Sequence, residues 1–225
     1  MKVTILMPAL NEEKAIAETI KNIPRKEIEN NGFEMEILVV DGGSTDKTKK
    51  IALELGAKVL ECEKGYGKQY KFGFGKAQGD IIVTADSDNS YPMKEIPKLI
   101  KIMEKEKLDF INTNRFVEMK PGSMRLLNNI GNRTLTWTAN LLFGLSLKDS
   151  QSGMWVFKKN ILEKIKLTSD GMALSQEIKI EAFKKLRAKE INSSYNKRSG
   201  ESKLNIFKDG FSNLTHLIKK RCGFV

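Results

Sequence analysis

Residues 79–92 read GDIIVTADSDNSYP. Gly79-Asp80 is turn chemistry, and Ile81-Ile82-Val83 is a continuous apolar run of the kind found in a strand buried on both faces. Two carboxylates one residue apart, Asp86 and Asp88, follow where that strand should end, and Tyr91-Pro92 leads toward a helix. Charged groups are costly at the edge of a core unless they are paired or meet a ligand there.

Upstream, the same punctuation repeats. Lys2–Met7 is a β-rich run closed by Pro8, and Glu12–Ile23 carries Ile16, Ile20 and Ile23 at helical spacing. Glu36–Val40 reads as a second strand, and Asp41-Gly42-Gly43-Ser44-Thr45-Asp46 as a turn. Ser44 or Thr45 can cap the helix that runs to about Leu55. Ala57–Leu60 is a short third strand, Gly65–Ala77 a lysine- and glycine-rich helix, and Ile81–Ala85 the fourth strand. Strands alternating with helices predict βαβ units and an α/β fold on a mainly parallel central sheet with flanking helices. In such a sheet ligands sit at the carboxyl ends of the strands. The loops after strands one, two and four place Asn11, Glu12, Asp41, Asp86 and Asp88 on that rim.

Downstream, Ile96, Leu99, Ile100 and Met103 form one helical face, with Pro97 tolerated near the first turn. Phe110–Asn112 and Trp155–Phe157 read as strands, and Met124–Phe143 and Ala173–Leu186 as helices. Ile206, Phe207, Phe211, Leu214, Leu217 and Ile218 make an apolar stripe that ends in Lys219-Lys220-Arg221.

The 225 residues suffice for one substantial core. No tandem repeat or low-complexity segment interrupts them. The opening MKVTILMPALNEE lacks the apolar region of a signal peptide. Leu135–Leu147, the longest nearly apolar run, is shorter than the ~20 residues a membrane span needs, so no transmembrane helix is expected. Cys62 and Cys222 lack metal-ligand spacing and read as free thiols of a reducing cytosol. With one histidine, His216, on what reads as a helix surface, His-based metal clusters are excluded and a His-dependent triad is disfavoured. The net charge of +11 is concentrated at the end: Lys184–Val225 carries 11 Lys/Arg against 3 Asp/Glu. Such a block implies an anionic partner.

An Asp-x-Asp pair after a strand is a hard-oxygen site for Mg²⁺ or Mn²⁺. In this context the motifs MPALNEE (7–13), VVDGGSTDKT (39–48), GYGKQYKFGF (65–74) and ADSDNSYP (85–92) resemble family 2 glycosyltransferases of the GT-A fold. NRF (114–116), DSQSGMWVF (149–157) and RSGESKL (198–204) narrow the resemblance to dolichol- and polyprenyl-phosphate sugar synthases, the branch that includes dolichol-phosphate mannose synthases. It implies a GT-A catalytic domain over residues 1–204 and a basic amphipathic helix over 205–225.

The resemblance also implies roles. Pro8, Ala9, Asn11 and Glu12 would shape the nucleotide pocket, Asp41 would contact the base, and Lys68 would lie close to the nucleotide. Asp86 and Asp88 would hold the sugar nucleotide and the metal, with Ser90 where a third ligand often stands. Arg115 and Arg125 would receive the acceptor phosphate, and Arg198 and Lys203 would close over the diphosphate. Two motifs depart from the family pattern. Gly42 replaces the second carboxylate of the usual Asp-Asp-Gly-Ser turn, and Ser90 stands in place of a longer Gln, so contacts assigned to those groups do not transfer.

The implied reaction is an inverting transfer of a hexose from a nucleotide sugar, of the GDP-mannose, UDP-glucose or UDP-N-acetylglucosamine type, to dolichyl or polyprenyl phosphate. An acceptor phosphate is already ionised near neutral pH, so no strong base is required. The implied location is the cytoplasmic face of a membrane. The C-terminal helix or the Trp137-bearing helix would touch the surface, or a membrane-spanning partner subunit would supply the contact. Three readings stand beside this one. A saccharide or protein hydroxyl acceptor would require a base, for which Glu177 and Asp149 are the candidates. A turnover-deficient binder of nucleotide sugars would keep the same loops. A nucleic-acid binder would use the basic tail, but the acidic rim would repel its partner's phosphates.

Overall fold

In the computed structural model, which describes residues 1–200 and 206–225, alternate residues of β1 (Lys2–Ala9) face opposite sides of a sheet. Val3, Ile5 and Met7 enter one apolar cluster and Leu6 the other, all of them fully buried. The chain continues through α1 (Ile16–Lys21), α2 (Arg25–Asn30), β2 (Glu34–Asp41), α3 (Thr48–Glu54), β3 (Lys58–Glu61) and α4 (Tyr66–Lys76) to β4 (Ile81–Thr84). A 3₁₀ turn at Met93–Glu95 then leads into α5 (Ile96–Lys105), β5 (Phe110–Met119), α6 (Leu126–Phe143) and β6 (Trp155–Lys158). After the 3₁₀ segment Lys159–Glu163 come α7 (Leu174–Lys185), β7 (Ala188–Tyr195) and α8 (Ile206–Arg221).

Among the described residues the strands form one sheet in the order β3-β2-β1-β4-β6-β5-β7. β1 pairs in parallel with β2 and β4, β2 with β3, and β5 with β7. Only β6 runs antiparallel, to both β4 and β5. This is the expected mainly parallel α/β architecture. One face packs Ile16 and Ile20 of α1 and Leu99 and Met103 of α5. The other packs Tyr70 and Phe74 of α4, Ile178 of α7, and Trp155. Each large apolar side chain taken fully out of water contributes about 1.5–3 kcal/mol.

The strand order reverses between β1 and β4: the chain builds β2 and β3 on one side of β1, then returns to place β4 on the other. Ligand crevices form at such switch points, beyond the carboxyl ends of the strands. Gly73 lets α4 lie close on this sheet, since a Cβ there would sit 2.6 Å from a methyl of Leu6.

Several local expectations differ from what is observed. The first helix begins at Ile16 rather than Glu12, because Asn11 adopts φ 51° and the Glu12 backbone N–H donates to Thr48 Oγ1 at 2.7 Å. Ser44 and Thr45 do not cap α3, which starts at Thr48; the Ser44 hydroxyl accepts from the Asn11 N–H instead. β5 runs on to Met119 through an irregularity between Asn114 and Glu118. α2 and the edge strand β7 had no apolar pattern strong enough to mark them in the sequence. His216 lies partly buried against Glu177 rather than on an open helix surface.

Candidate active site

Ala85 carries the chain out of β4, and the next turn exposes Asp86 and Asp88 to a cavity of about 620 Å³. Asp88 Oδ1 accepts from both the backbone N–H and the hydroxyl of Ser90, which fixes the carboxylate's orientation. Asn89 makes the turn with φ 62°, a conformation that Asn tolerates better than most residues. At Asp86, burial and then the neighbouring Asp88 charge push the carboxyl up to about 7. Gly153 stands directly behind it: a Cβ there would come within 3.1 and 3.2 Å of the two Asp86 oxygens and 2.9 Å of Tyr66 Oη. The glycine therefore leaves the space that the Asp86 carboxylate occupies.

The cavity also carries cations. Arg115, at the point where β5 reaches the crevice, is 5% exposed. Asp149 grips it from behind, accepting from Nε at 2.7 Å and Nη2 at 2.9 Å, while Tyr195 lies 5.2 Å from the guanidinium carbon. Burial works to raise the Asp149 carboxyl, but the Arg115 charge and hydrogen bonds outweigh it and hold the group below the usual carboxylate range. Arg125 lines the cavity at the start of α6, and Arg198 leans in from the segment after β7. Arg198 Nη2 donates to Glu12 Oε1 at 2.9 Å, and Nη1 stands 3.4 Å from Asp88 Oδ2.

The ends of β1 and β2 form a separate cluster, and Pro8, Ala9, Asn11 and Asp41 do not line this cavity. Asn11 Oδ1 accepts from the Thr45 N–H, so the two loops after these strands are tied together. Asp41 is fully buried and its Oδ1 accepts from the N–H groups of Gly43 and Ser44, while among the described residues Oδ2 has no partner. Gln69 of α4 donates to the carbonyls of Ala9 and Val40, closing the gap beside Pro8.

Asp86, Asp88, Arg115, Arg125 and Arg198 thus meet at one cavity, with Glu12 joined to it through Arg198. Ser90 is fully buried and turned onto Asp88, so it orients that carboxylate and does not face the cavity. The Lys68 ammonium pairs with Glu63 at 2.5 Å on the rim. Lys203 lies outside the described residues. The two candidate bases for a hydroxyl acceptor are both committed elsewhere. Asp149 backs Arg115, and Glu177 accepts from Thr168, Ser169 and Lys220. Residues that motif reading passed over also line the cavity: Tyr66, Gln151, Tyr195 and Asn213. Gln151 stands inside the DSQSG motif, where its polar neighbours were a signal; Asn213 is one turn of an amphipathic helix and carried none.

Residues 4–166 match the model of glycosyl transferase family 2. The chain belongs to that family. Its GT-A fold is shared with glucosyl-3-phosphoglycerate synthase of Mycobacterium tuberculosis, solved with Mn²⁺, UDP and glucosyl-3-phosphoglycerate, at a TM-score of 0.78 and 21% identity, over 99% of this chain and 80% of that one. Among curated relatives, this glycosyltransferase is 35% identical to the low-salt glycan biosynthesis hexosyltransferase Agl6 of Haloferax volcanii over 99% of its own length. It spans about half, 54%, of that relative. The dolichyl-phosphate hexose transferase of the same organism is 31% identical, with 92% of this chain and 88% of the relative aligned.

Proposed function

We propose that this glycosyltransferase moves a hexose from a nucleoside diphosphate sugar to a polyprenyl or dolichyl phosphate, with inversion at the anomeric carbon. One observation carries the reading: an acidic pair, Asp86 and Asp88, and two cationic groups, Arg115 and Arg125, line a single cavity. A donor diphosphate and an acceptor phosphate are both anions, and this arrangement has separate places for them. The lipid nature of the acceptor is supported by the dolichyl-phosphate hexose transferase relative.

The donor side fits a divalent cation. Among the described residues no group of three or more His, Cys, Asp or Glu side chains could hold a metal, so the protein offers a carboxylate pair rather than a closed cage. Mg²⁺ and Mn²⁺ commonly bind in this way, completing their shell with water and substrate phosphate oxygens. Asp86 and Asp88 would hold the ion, and when bound it would offset the charge that develops on the leaving diphosphate. Asp41 Oδ2, buried and without a hydrogen-bond partner among the described residues, is an acceptor suited to an N–H of the nucleobase.

On the acceptor side, the Nη1 edge of the Arg115 fork is not used by Asp149 and is available to a phosphate oxygen. An acceptor phosphate oxygen supplies the electron pair for the new bond to the anomeric carbon, and the bond to the donor diphosphate breaks with its pair on the leaving oxygen. The acceptor is ionised near pH 7, so no side chain needs to take a proton. Catalysis then rests on alignment of the two reactants and on fixed charges.

The helices that wall the cavity suit a lipid substrate. α6 leaves Leu126, Ile130, Trp137 and Leu141 exposed, and α8 leaves Phe211 and Ile218 exposed above its basic last turn. Among the described residues no helix is long and apolar enough to cross a membrane. These two helices would make peripheral contact with the cytoplasmic face of a membrane.

The test is kinetic. Asp88→Ala abolishes transfer while circular dichroism shows an intact fold, and Arg125→Ala raises the KM for the lipid phosphate at least tenfold with a smaller change in the donor KM. An active Asp88→Ala variant, or an unchanged lipid KM in Arg125→Ala, contradicts the assignment.

A further inference from the structure

Both oxygens of Asp88 meet groups of the chain itself. Oδ1 receives the N–H and hydroxyl of Ser90, and Oδ2 faces the Arg198 guanidinium at 3.4 Å. The same guanidinium is held on its other side by Glu12 at 2.9 Å. Its segment is pinned to the Asp88 turn by backbone bonds: the Ser199 N–H donates to the Asp88 carbonyl and the Asn196 N–H to that of Ser90, each at 2.9 Å. Arg198 thus stands where the counter-charge of Asp88 must be, in the position a divalent ion would share.

A Mg²⁺-type ion binds a carboxylate oxygen at ~2.0–2.1 Å. Bound at Asp88 Oδ2 with Arg198 in place, it would lie a few ångströms from a guanidinium of the same sign. A free ion must therefore displace Arg198 and leave that cation, among the described residues, with Glu12. An ion that arrives with a nucleoside diphosphate brings phosphate oxygens, which can accept the N–H donors that Arg198 withdraws from Asp88. The exchange then leaves every charge paired.

We propose that Arg198 is an exchangeable counter-ion that makes the site select the cation–diphosphate complex over the free cation. In this role the residue excludes an ion that arrives alone and grips the diphosphate when ion and nucleotide arrive together. The inference rests on the reading of Asp88 as a cation ligand.

Mn²⁺ binding followed by electron paramagnetic resonance tests it without any turnover. The wild type, Arg198→Gln, Arg198→Lys and Asp88→Asn are titrated with Mn²⁺ alone and then with UDP or GDP present. Without nucleotide, Arg198→Gln should bind Mn²⁺ at least tenfold more tightly than the wild type, and Arg198→Lys, which keeps the charge, should stay within about threefold of it. With the nucleotide that binds, the order should invert, the wild type holding Mn²⁺ at least tenfold more tightly than Arg198→Gln. Equal affinities of wild type and Arg198→Gln for free Mn²⁺ would overturn the exchange, while loss of nucleotide-dependent binding in Asp88→Asn would leave the cation site standing. Retained nucleotide-dependent binding in Asp88→Asn would overturn both.

Discussion

Arg115 and Asp149 form a two-point ion pair, Nε to Oδ2 at 2.7 Å and Nη2 to Oδ1 at 2.9 Å, with Asp149 fully buried. The pair decides which edge of Arg115 is left for a ligand. It joins β5 to the 149–153 segment that carries Gln151 to the cavity and Gly153 against Asp86. Lys179 of α7 anchors that segment from below, donating to the carbonyls of Ser150 and Ser152 and to the Ser175 hydroxyl.

Removing one member of a buried pair leaves the other uncompensated, at a cost of ~3–5 kcal/mol. Asp149→Ala should lose about that much in urea unfolding. The double variant Arg115→Met/Asp149→Leu removes both charges and should recover most of the stability while remaining inactive. Recovery of transfer in the double variant would remove Arg115 from the acceptor site.

Glu177 sets an acid limit on stability. Burial favours its neutral form, but the His216 imidazole 3.4 Å away, the Ser169 N–H, the Thr168 hydroxyl and the Lys220 charge outweigh this and lower it from 4.5 to about 2. A carboxyl depressed in the folded state adds stability that is complete above its unfolded value and disappears as pH falls through the folded one. The shift corresponds to at most about 3 kcal/mol. Glu177→Gln should therefore be less stable than the wild type at pH 7, with the difference shrinking between about pH 4.5 and pH 2. A difference independent of pH would contradict this. Lys220 also bridges Glu181 at 2.9 Å, so the lock ties α8 to α7.

Much of this site was legible because its strands are continuous apolar runs and its loops break with Gly and Asp. Ile81–Thr84 followed by Asp86 and Asp88 places the acidic pair on the rim from pattern alone. What could not be read were contacts between distant segments. The Arg115–Asp149 pair joins residues 34 apart, and Arg198 reaches Glu12 across 186. Ser90 looked like a ligand by position, but only coordinates show its hydroxyl turned onto Asp88. β7 alternates polar and apolar residues weakly because it is an edge strand, so its Tyr195 was missed as part of the cavity.

Gly153 is a sterically strict position. The Cβ of Gly153→Ala would fall 3.1–3.2 Å from both Asp86 oxygens. Overpacking of this kind costs ~1–3 kcal/mol when neighbours must shift. The variant should fold and bind Mn²⁺ with a nucleoside diphosphate at least tenfold more weakly. Unchanged binding would show that Asp86 does not need its present position.

Membrane contact should depend on the outer faces of α6 and α8. Trp137 is 65% exposed and Phe211 74% exposed, so replacing them disturbs little packing. Trp137→Ser/Phe211→Ser should alter stability by no more than ~1 kcal/mol, twice the usual change for one surface substitution. Sedimentation with vesicles of anionic phospholipid should fall several-fold. Equal sedimentation of wild type and variant would place the contact elsewhere.

Transfer to a lipid phosphate can be read by incubating the protein with GDP-mannose, UDP-glucose or UDP-N-acetylglucosamine, a polyprenyl phosphate and Mg²⁺ or Mn²⁺, and detecting lipid-linked sugar by mass spectrometry. A monoglycosylated polyprenyl phosphate should form with at least one donor, and none with Asp88→Ala. Absence of lipid product with every donor, together with transfer to a soluble saccharide, would contradict it.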